Sequence, residues 1–177
     1  MAPLAYSLIQ HQANLSKIAE LQASVRPLAE NLLRLSADRG IPLKVVQAFR
    51  SPGEQQALYE SGRGVTNAPA LSSYHNYRLA FDVVPLAYLS LPDWNPSGSL
   101  WADVGALGKS VGLEWGGDWT KKDLPHFQLT GAPISELKAY FQKFGEVMPI
   151  TISATAGGTM IALVVMALAL WLYRDQL

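Results

Sequence analysis

The stretch SYHNYRLAFD occupies residues 73–82, and a second stretch, DLPHF, follows at residues 123–127. Within them, His75, Asp82 and His126 offer two imidazoles and one carboxylate. This nitrogen and oxygen donor set suits Zn²⁺ and leaves a fourth position for water. An open position is typical of catalytic zinc sites rather than structural ones. We therefore expect the two stretches to meet in space around a metal ion.

A carboxylate precedes the second histidine. Asp123 lies three residues before His126, and Pro125 bends the chain between them. The side chain can therefore stand beside the fourth position without binding the metal, which is the place of a general base. Asp118 is the alternative base, but it lies farther from His126 along the chain.

A single histidine is more often a surface or core residue than a ligand, so the prediction depends on the combination. Of the three histidines in the chain, His75 and His126 fall in segments rich in apolar and aromatic residues, each with an acidic residue nearby. His11 lies in a polar stretch without such neighbours. Only the first two are predicted to be ligands.

The spacing of the ligands predicts a turn. His75 and Asp82 are seven residues apart, which would place them on opposite faces of an unbroken strand. We expect the turn at residues 76–78, with a strand after it. Alternation then puts Ala80, Asp82 and Val84 on one face and Phe81 and Val83 on the core face.

A cation follows the first predicted strand. Residues 41–49 are rich in β-branched residues, and Arg50 comes directly after them. There the guanidinium can donate charge-assisted hydrogen bonds to a peptide carbonyl that becomes an oxyanion, although a surface ion pair with Glu54 fits equally well. Ser51 and Glu54 predict a helix start closed by a capping box.

Apolar residues at three- and four-residue steps predict helices that start near Asn14, span Pro27–Gly40, and cover residues 100–112 and 134–141. The predicted fold class is α+β, a small antiparallel sheet with flanking helices that carries the zinc site. Between the last two helices, Trp115 and Trp119 are either core residues or walls of a substrate pocket, and large aromatic residues are more often core.

The composition limits the partners. The 177 residues are 49% hydrophobic, contain 14 basic and 14 acidic residues, and include no cysteine. Charge balance without a basic block argues against nucleic-acid binding. Zinc must be held by nitrogen and oxygen atoms, because no thiolate is present. We expect a monomer.

The composition changes abruptly near the C-terminus. No charged residue occurs between Glu146 and Arg174, and residues 150–173 exceed the roughly 20 apolar residues that span a bilayer. We expect a folded domain that carries the zinc site over residues 1–147, and a transmembrane helix with a short tail over residues 148–177. A buried core helix is the alternative.

Three ordered motifs carry a resemblance. The pattern S-x-H-x-x-x-x-A-x-D, then W-G-G-x-W and D-x-P-H-F, resembles the LAS group of zinc peptidases, which includes VanY-like and VanX-like enzymes and phage L-alanyl-D-glutamate endolysins. The resemblance is greatest to the endolysins and covers about Leu28 to Leu129. Arg50, Ser51 and Gln55 match a further R-[ST]-x-x-x-Q element. The family has glycine where this chain has Arg78, which would be strained at a positive φ.

The resemblance implies a peptidase that uses Zn²⁺ to cleave the L-alanyl-D-glutamate bond of peptidoglycan stem peptides during phage-encoded host lysis. Asp123 would be the base, and Arg50 would steady the oxyanion. The residues expected to contact substrate are Gln55, Ser73, Trp115 and Trp119.

Two other functions are consistent with the same motifs. A D-alanyl-D-alanine carboxypeptidase would share every ligand, and a non-catalytic, membrane-anchored wall-binding module would share the fold. We expect the chain to span the host inner membrane once and to act in the periplasm. The orientation is open, because Lys138 and Lys143 flank one side of the apolar segment and Arg174 the other. The N-terminus lacks the features of a secretory signal.

Overall fold

The computed structural model describes residues 8–62, 64, 66–89, 99–153 and 161–163, and in these residues the chain has an α+β fold. The helices are α1 (Leu8–Ile18), α2 (Arg26–Asp38), α3 (Pro52–Glu60), α4 (Ser99–Ser110) and α5 (Ile134–Phe144). The strands are β1 (Leu43–Gln47), β2 (Ala80–Pro85), β3 (Glu114–Trp115), β4 (His126–Gln128), β5 (Thr151–Ser153) and β6 (Ile161–Leu163). Short 3₁₀ helices cover Tyr74–Tyr77, Leu86–Tyr88 and Gly116–Asp118.

Strands β1 to β4 form an antiparallel sheet in the order β1-β2-β4-β3. This confirms the predicted small antiparallel sheet. In its register, Asp82 of β2 lies directly opposite His126 of β4. Because opposite residues of an antiparallel pair point to the same face, the sheet itself brings these two side chains together.

The opposite face of the sheet packs on α4 through aromatic rings. Phe127 stacks between Phe81 and Trp115, with ring centroids 6.0 and 6.5 Å apart. Gly105 and Gly108 of α4 lie against these rings, since a Cβ at either glycine would come within 2.2 Å of a ring carbon of Trp115 or Phe127. Glycine at both positions therefore allows the helix to approach the sheet closely.

Helix α1 covers the outer edge of β1. The fully buried Asn14 donates from Nδ2 to the Leu43 carbonyl at 2.9 Å, and its Oδ1 accepts from the Val45 amide at 2.9 Å. These bonds occupy strand groups that would otherwise be unpaired at the sheet edge. The helix begins at Leu8, six residues before the predicted start at Asn14.

The packed core continues past the predicted domain boundary at residue 147. Met148 and Ile150 are buried in the core. Gln22 fixes this segment, since its Nε2 donates to the Met148 carbonyl at 3.0 Å and its Oε1 accepts from the Ile150 amide at 2.8 Å. Residues 148–150 thus pack with the domain that contains the sheet.

The predicted transmembrane helix is not seen among the described residues, none of whose helices is both long and apolar enough to cross a bilayer. Within the predicted span, Thr151–Ser153 and Ile161–Leu163 instead pair as the antiparallel strands β5 and β6. An apolar run with β-branched residues such as Thr151 and Ile152 is compatible with strand as well as helix. Residues 154–160 and 164–177, which hold most of the predicted span, lie outside the described residues.

Candidate metal centre and active site

His75 is presented by a tight turn before β2. It lies in the 3₁₀ helix Tyr74–Tyr77, and the hydroxyl of Ser73 accepts a hydrogen bond from its amide at 3.4 Å. Its Nδ1 lies 2.7 Å from the Ala48 carbonyl, which can only accept, so Nδ1 bears the proton. In the neutral imidazole, Nε2 then carries the lone pair, and it lies 3.3 Å from Asp82 Oδ1.

His126 has the opposite orientation. Its Nδ1 lies 3.1 Å from Asp82 Oδ1, and its Nε2 lies 3.0 Å from Gln128 Oε1. An amide oxygen accepts, so Nε2 donates to Gln128 and Nδ1 faces Asp82. This contact shows that His126 and Gln128 share one face of β4.

The structure thus brings the three predicted ligands together. One ligand atom from each of His75, Asp82 and His126 lies within 4.8 Å of the others, and both histidines are buried. A tetrahedral site with bonds of about 2.0–2.1 Å has edges of about 3.3–3.4 Å between ligand atoms. The spacings of 3.3 and 3.1 Å from Asp82 Oδ1 to the two histidine nitrogens are close to that edge length. The donor set and its spacing therefore fit a zinc ion.

The cluster favours an ionised carboxylate. Burial alone would raise the pKa of Asp82, but His75 and His126 beside it outweigh burial and hold that pKa well below its usual range. For His126, the hydrogen bond and charge of Asp82 outweigh burial and raise the pKa. Asp82 thus favours a positive charge beside it, which a bound metal ion would supply.

The predicted turn between His75 and Asp82 is present and is closed by Arg78. This residue has φ 60° and ψ 28°, the left-handed conformation for which glycine is suited. Its guanidinium donates to the Glu20 carbonyl at 2.6 Å and lies 4.1 Å from the centre of the Phe49 ring. These contacts offset the backbone strain at Arg78. The ligands on either side of the turn still meet, because His75 Nε2 and Asp82 Oδ1 are 3.3 Å apart.

Arg50 lies beside the metal cluster. Its side chain is only 12% exposed, and its Nη2 is 4.0 Å from Asp82 Oδ2. Nη1 donates to Gln55 Oε1 at 2.9 Å, whereas the buried Nε has no hydrogen-bond partner among the described residues. Glu54 is engaged elsewhere, because it accepts from the amide and hydroxyl of Ser51 in the predicted capping box. Arg50 therefore faces the site rather than a surface partner.

The predicted contact of Gln55 with substrate is contradicted by its burial. The side chain has no exposed surface. Its Oε1 accepts from Arg50, and its Nε2 donates to Thr66 Oγ1 at 3.0 Å and to the Ala68 carbonyl at 2.7 Å. With its amide engaged in this way, Gln55 holds Arg50 in place.

Asp123 lies against the ligand His126. Its backbone carbonyl accepts from the His126 amide at 3.2 Å, and its amide donates to the Gly116 carbonyl at 3.0 Å. Burial raises the pKa of the Asp123 carboxyl. Of the neighbouring charges, that of His126 lowers this pKa and that of Asp82 raises it. The alternative base Asp118 is half exposed and pairs with Lys109 at 2.8 Å. Asp123, and not Asp118, thus accompanies the cluster.

The two tryptophans have different places. Trp115 is 8% exposed, belongs to the core and donates from Nε1 to the Leu124 carbonyl at 2.8 Å. It is a packing residue and does not form a substrate wall, because its ring is covered by α4. Trp119 is partly exposed, with its ring centroid 5.1 Å from that of His126. Trp119 therefore borders the site. Ser73, the remaining residue expected to contact substrate, supports the turn that presents His75.

Sequence reasoning missed Glu114. Its Oε1 accepts from Trp119 Nε1 at 2.6 Å, and its Oε2 accepts from the Thr130 hydroxyl. Glu114 lies opposite Gln128 in the β3–β4 register. The only sequence signal for this contact is strand alternation, which needs the pairing register to be informative. A cavity of about 360 Å³ lies beside Glu114 and Thr130 at the sheet edge, and the three ligands do not line it.

Comparison with known proteins gives the family. Residues 66–129 match a family of M15 peptidases described as D-alanyl-D-alanine carboxypeptidase. The peptidoglycan L-alanyl-D-glutamate endopeptidase CwlK of Bacillus subtilis is 34% identical over 146 residues, which cover 71% of this chain and 87% of CwlK. The chain belongs to the LAS-type M15 peptidases.

Other relatives are similar over comparable parts of this M15 peptidase. The L-alanyl-D-glutamate peptidase of Listeria phage A118 is 35% identical over 121 residues, which cover 66% of this chain and 39% of the phage protein. The structure of the Serratia marcescens L-Ala D-Glu endopeptidase ChiX matches with a TM-score of 0.50 at 24% identity, covering 71% of this chain and 96% of ChiX. The LD-carboxypeptidase LdcB matches with a TM-score of 0.51 at 15% identity, covering 72% of this chain and 65% of LdcB. The two solved structures support the fold.

Proposed function

We propose that the protein is a zinc-dependent peptidoglycan endopeptidase that cleaves the L-alanyl-D-glutamate bond of stem peptides during lysis of a bacterial host. The observation that carries this proposal is the cluster of His75, Asp82 and His126 with Asp123 and Arg50 beside it. CwlK and the phage A118 relative are named for that bond.

His75, Asp82 and His126 would hold the zinc ion through Nε2, a carboxylate oxygen and Nδ1. When bound there, zinc supplies a Lewis acid that polarises the scissile carbonyl and lowers the pKa of a water molecule. In the neutral imidazoles, the hydrogen bonds from His75 to Ala48 and from His126 to Gln128 place the proton on the nitrogen that does not bind the ion.

Asp123 acts as the base. Its carboxylate takes a proton from the attacking water and returns it to the leaving amine. The raised pKa suits both steps, because a carboxylate that holds a proton more firmly is the better base and can still release it. Its backbone contacts with Gly116 and His126 fix its place beside the cluster.

Arg50 stabilises the negative charge that develops on the carbonyl oxygen. Its Nε is a buried donor without a partner among the described residues, and its Nη2 is directed toward Asp82. Gln55 holds the guanidinium in position, so little reorganisation is needed when the charge appears. Trp119 provides an apolar border next to His126.

The alternative is a D-alanyl-D-alanine carboxypeptidase, which the description of the matching family favours. Digestion of purified peptidoglycan with zinc-loaded protein, followed by mass spectrometry, separates the two. The endopeptidase exposes new peptide N-termini that begin with D-glutamate, whereas the carboxypeptidase releases free D-alanine. D-alanine without D-glutamate N-termini would replace the proposal with the carboxypeptidase. No cleavage at all would favour a wall-binding module.

We also propose that the apolar C-terminal segment anchors the enzyme in the host inner membrane, with the peptidase domain acting in the periplasm where peptidoglycan lies. Met148 and Ile150 are buried in the core, so the membrane-spanning segment would begin after Ile152. Residues 154–173 contain no charged residue, and their length is close to the roughly 20 residues that a bilayer requires. In the anchored form, Ile161–Leu163 would leave its pairing with Thr151–Ser153.

A further inference from the structure

Glu114 is a carboxylate that the reaction does not use, although it lies at the centre of a hydrogen-bond network. It accepts from Trp119 Nε1 and from the Thr130 hydroxyl. An ionised carboxylate has only acceptors, so every group that contacts it must donate. Glu114 therefore determines the direction of the hydrogen bonds around it.

Gln128 transmits this direction to His126. A side-chain amide has a donating and an accepting end. The Thr130 hydroxyl donates its proton to Glu114, so Thr130 Oγ1 can only accept from Gln128 Nε2, which lies 3.4 Å away. Gln128 Oε1 is therefore directed at His126 Nε2, 3.0 Å away. The imidazole can satisfy that oxygen only by placing a proton on Nε2.

We propose that Glu114 is a positioning residue that, through Thr130 and Gln128, fixes the proton of His126 on Nε2 and so keeps Nδ1 available to the metal. This inference rests on the zinc site proposed above. A neutral imidazole has a proton on one nitrogen only, so an amide in the opposite orientation would move the proton to Nδ1, the atom that faces Asp82. Partners of metal-binding histidines act in this way in other zinc sites.

The substitution Glu114→Gln tests the relay. Glutamine keeps an acceptor for Trp119 but introduces an NH₂ group that can donate to Thr130. The Thr130 hydroxyl can then donate to Gln128, which allows the Gln128 amide to turn and donate to His126. We expect zinc affinity to fall by about 10- to 100-fold, measured by competition with a chromophoric chelator. Asp118→Asn is the matched control, because it makes the same chemical change at a half-exposed carboxylate paired with Lys109. It should bind zinc like the wild type.

The exchange Glu114→Gln with Gln128→Glu provides the decisive comparison. The carboxylate introduced at position 128 can accept from His126 Nε2. The amide introduced at position 114 can donate to Thr130, whose hydroxyl can donate to that carboxylate, so an acceptor again faces His126 Nε2. We expect the double variant to recover most of the lost zinc affinity, which replacement of a merely structural contact would not do. Unchanged affinity in Glu114→Gln, or no recovery in the double variant, would overturn the inference. Absence of zinc binding by the wild type would instead refute the proposed function.

A measurement on the unmodified protein keeps the inference testable if Glu114→Gln does not fold. Nitrogen-15 NMR of histidine in the zinc-loaded wild type should show a proton on Nε2 of His126 and none on Nδ1. Zinc bound through Nε2, with the proton on Nδ1, would contradict the relay.

Discussion

At the scale of single residues, a substitution of Asp123 distinguishes the two roles that a carboxylate near zinc can have, general base and metal ligand. Asp123→Asn should retain zinc and lose activity on the order of 10²–10⁴-fold, because a base contributes to the rate but not to metal binding. Parallel measurements of zinc content and peptidoglycan hydrolysis check this. A variant that loses zinc together with activity would identify Asp123 as a ligand, and Asp118→Asn should change neither quantity.

Arg78 occupies a left-handed position at φ 60° where side chains cause strain. Arg78→Ala keeps that strain and loses the contacts with Glu20 and Phe49, whereas Arg78→Gly loses the contacts but relieves the strain. Since the left-handed conformation costs an L-residue about 1–2 kcal/mol, we expect the alanine variant to have the lower free energy of unfolding by about 1 kcal/mol. Urea unfolding measures the difference. An alanine variant as stable as the glycine variant would show that the turn is not strained.

The sequence predicts chemical type better than environment for individual residues. His75, Asp82 and His126 could be recognised because few types of side chain bind zinc. In addition, both histidines lie in apolar and aromatic segments with an acidic residue nearby. Gln55 and Trp115 could not be placed, since an amide or indole is equally consistent with a pocket wall and a buried contact. The structure shows that both side chains are buried, and their burial depends on how α3 and α4 pack.

At the scale of secondary-structure elements, the turn over residues 76–78 and the capping box of α3 follow from local chemistry and are confirmed. The pairing of β2 with β4 is different. Strand alternation assigns faces within each strand, but the register that sets Asp82 opposite His126 and Glu114 opposite Gln128 is a long-range property. For this reason the relay from Glu114 was invisible in the sequence.

The C-terminal segment is the element for which hydrophobicity and the described structure differ. If residues 154–173 anchor the protein, the full-length chain should sediment with membranes, and a variant ending at Ser153 should remain in the supernatant. Added protease should reach the domain in spheroplasts if it faces the periplasm. Full-length protein in the supernatant would refute the anchor, and a membrane-bound domain that protease never reaches would reverse the orientation.

At the scale of the whole molecule, the sheet is the frame of the site. Its strands β2 and β4 supply Asp82 and His126, the turn before β2 supplies His75, and the end of β1 leads to Arg50. The aromatic face of the same sheet packs on α4 and holds these strands together. The ligands are therefore preorganised by the fold rather than assembled by the metal alone.

The most direct test of the central claim is the zinc content of the purified protein and two histidine variants. The wild type should hold about one zinc per chain, since three protein ligands and a water complete a catalytic site. His75→Ala should abolish tight binding, while His11→Ala, which alters the third histidine in α1, should bind zinc like the wild type. Undiminished zinc in His75→Ala would contradict the assignment of His75, Asp82 and His126 as the metal site.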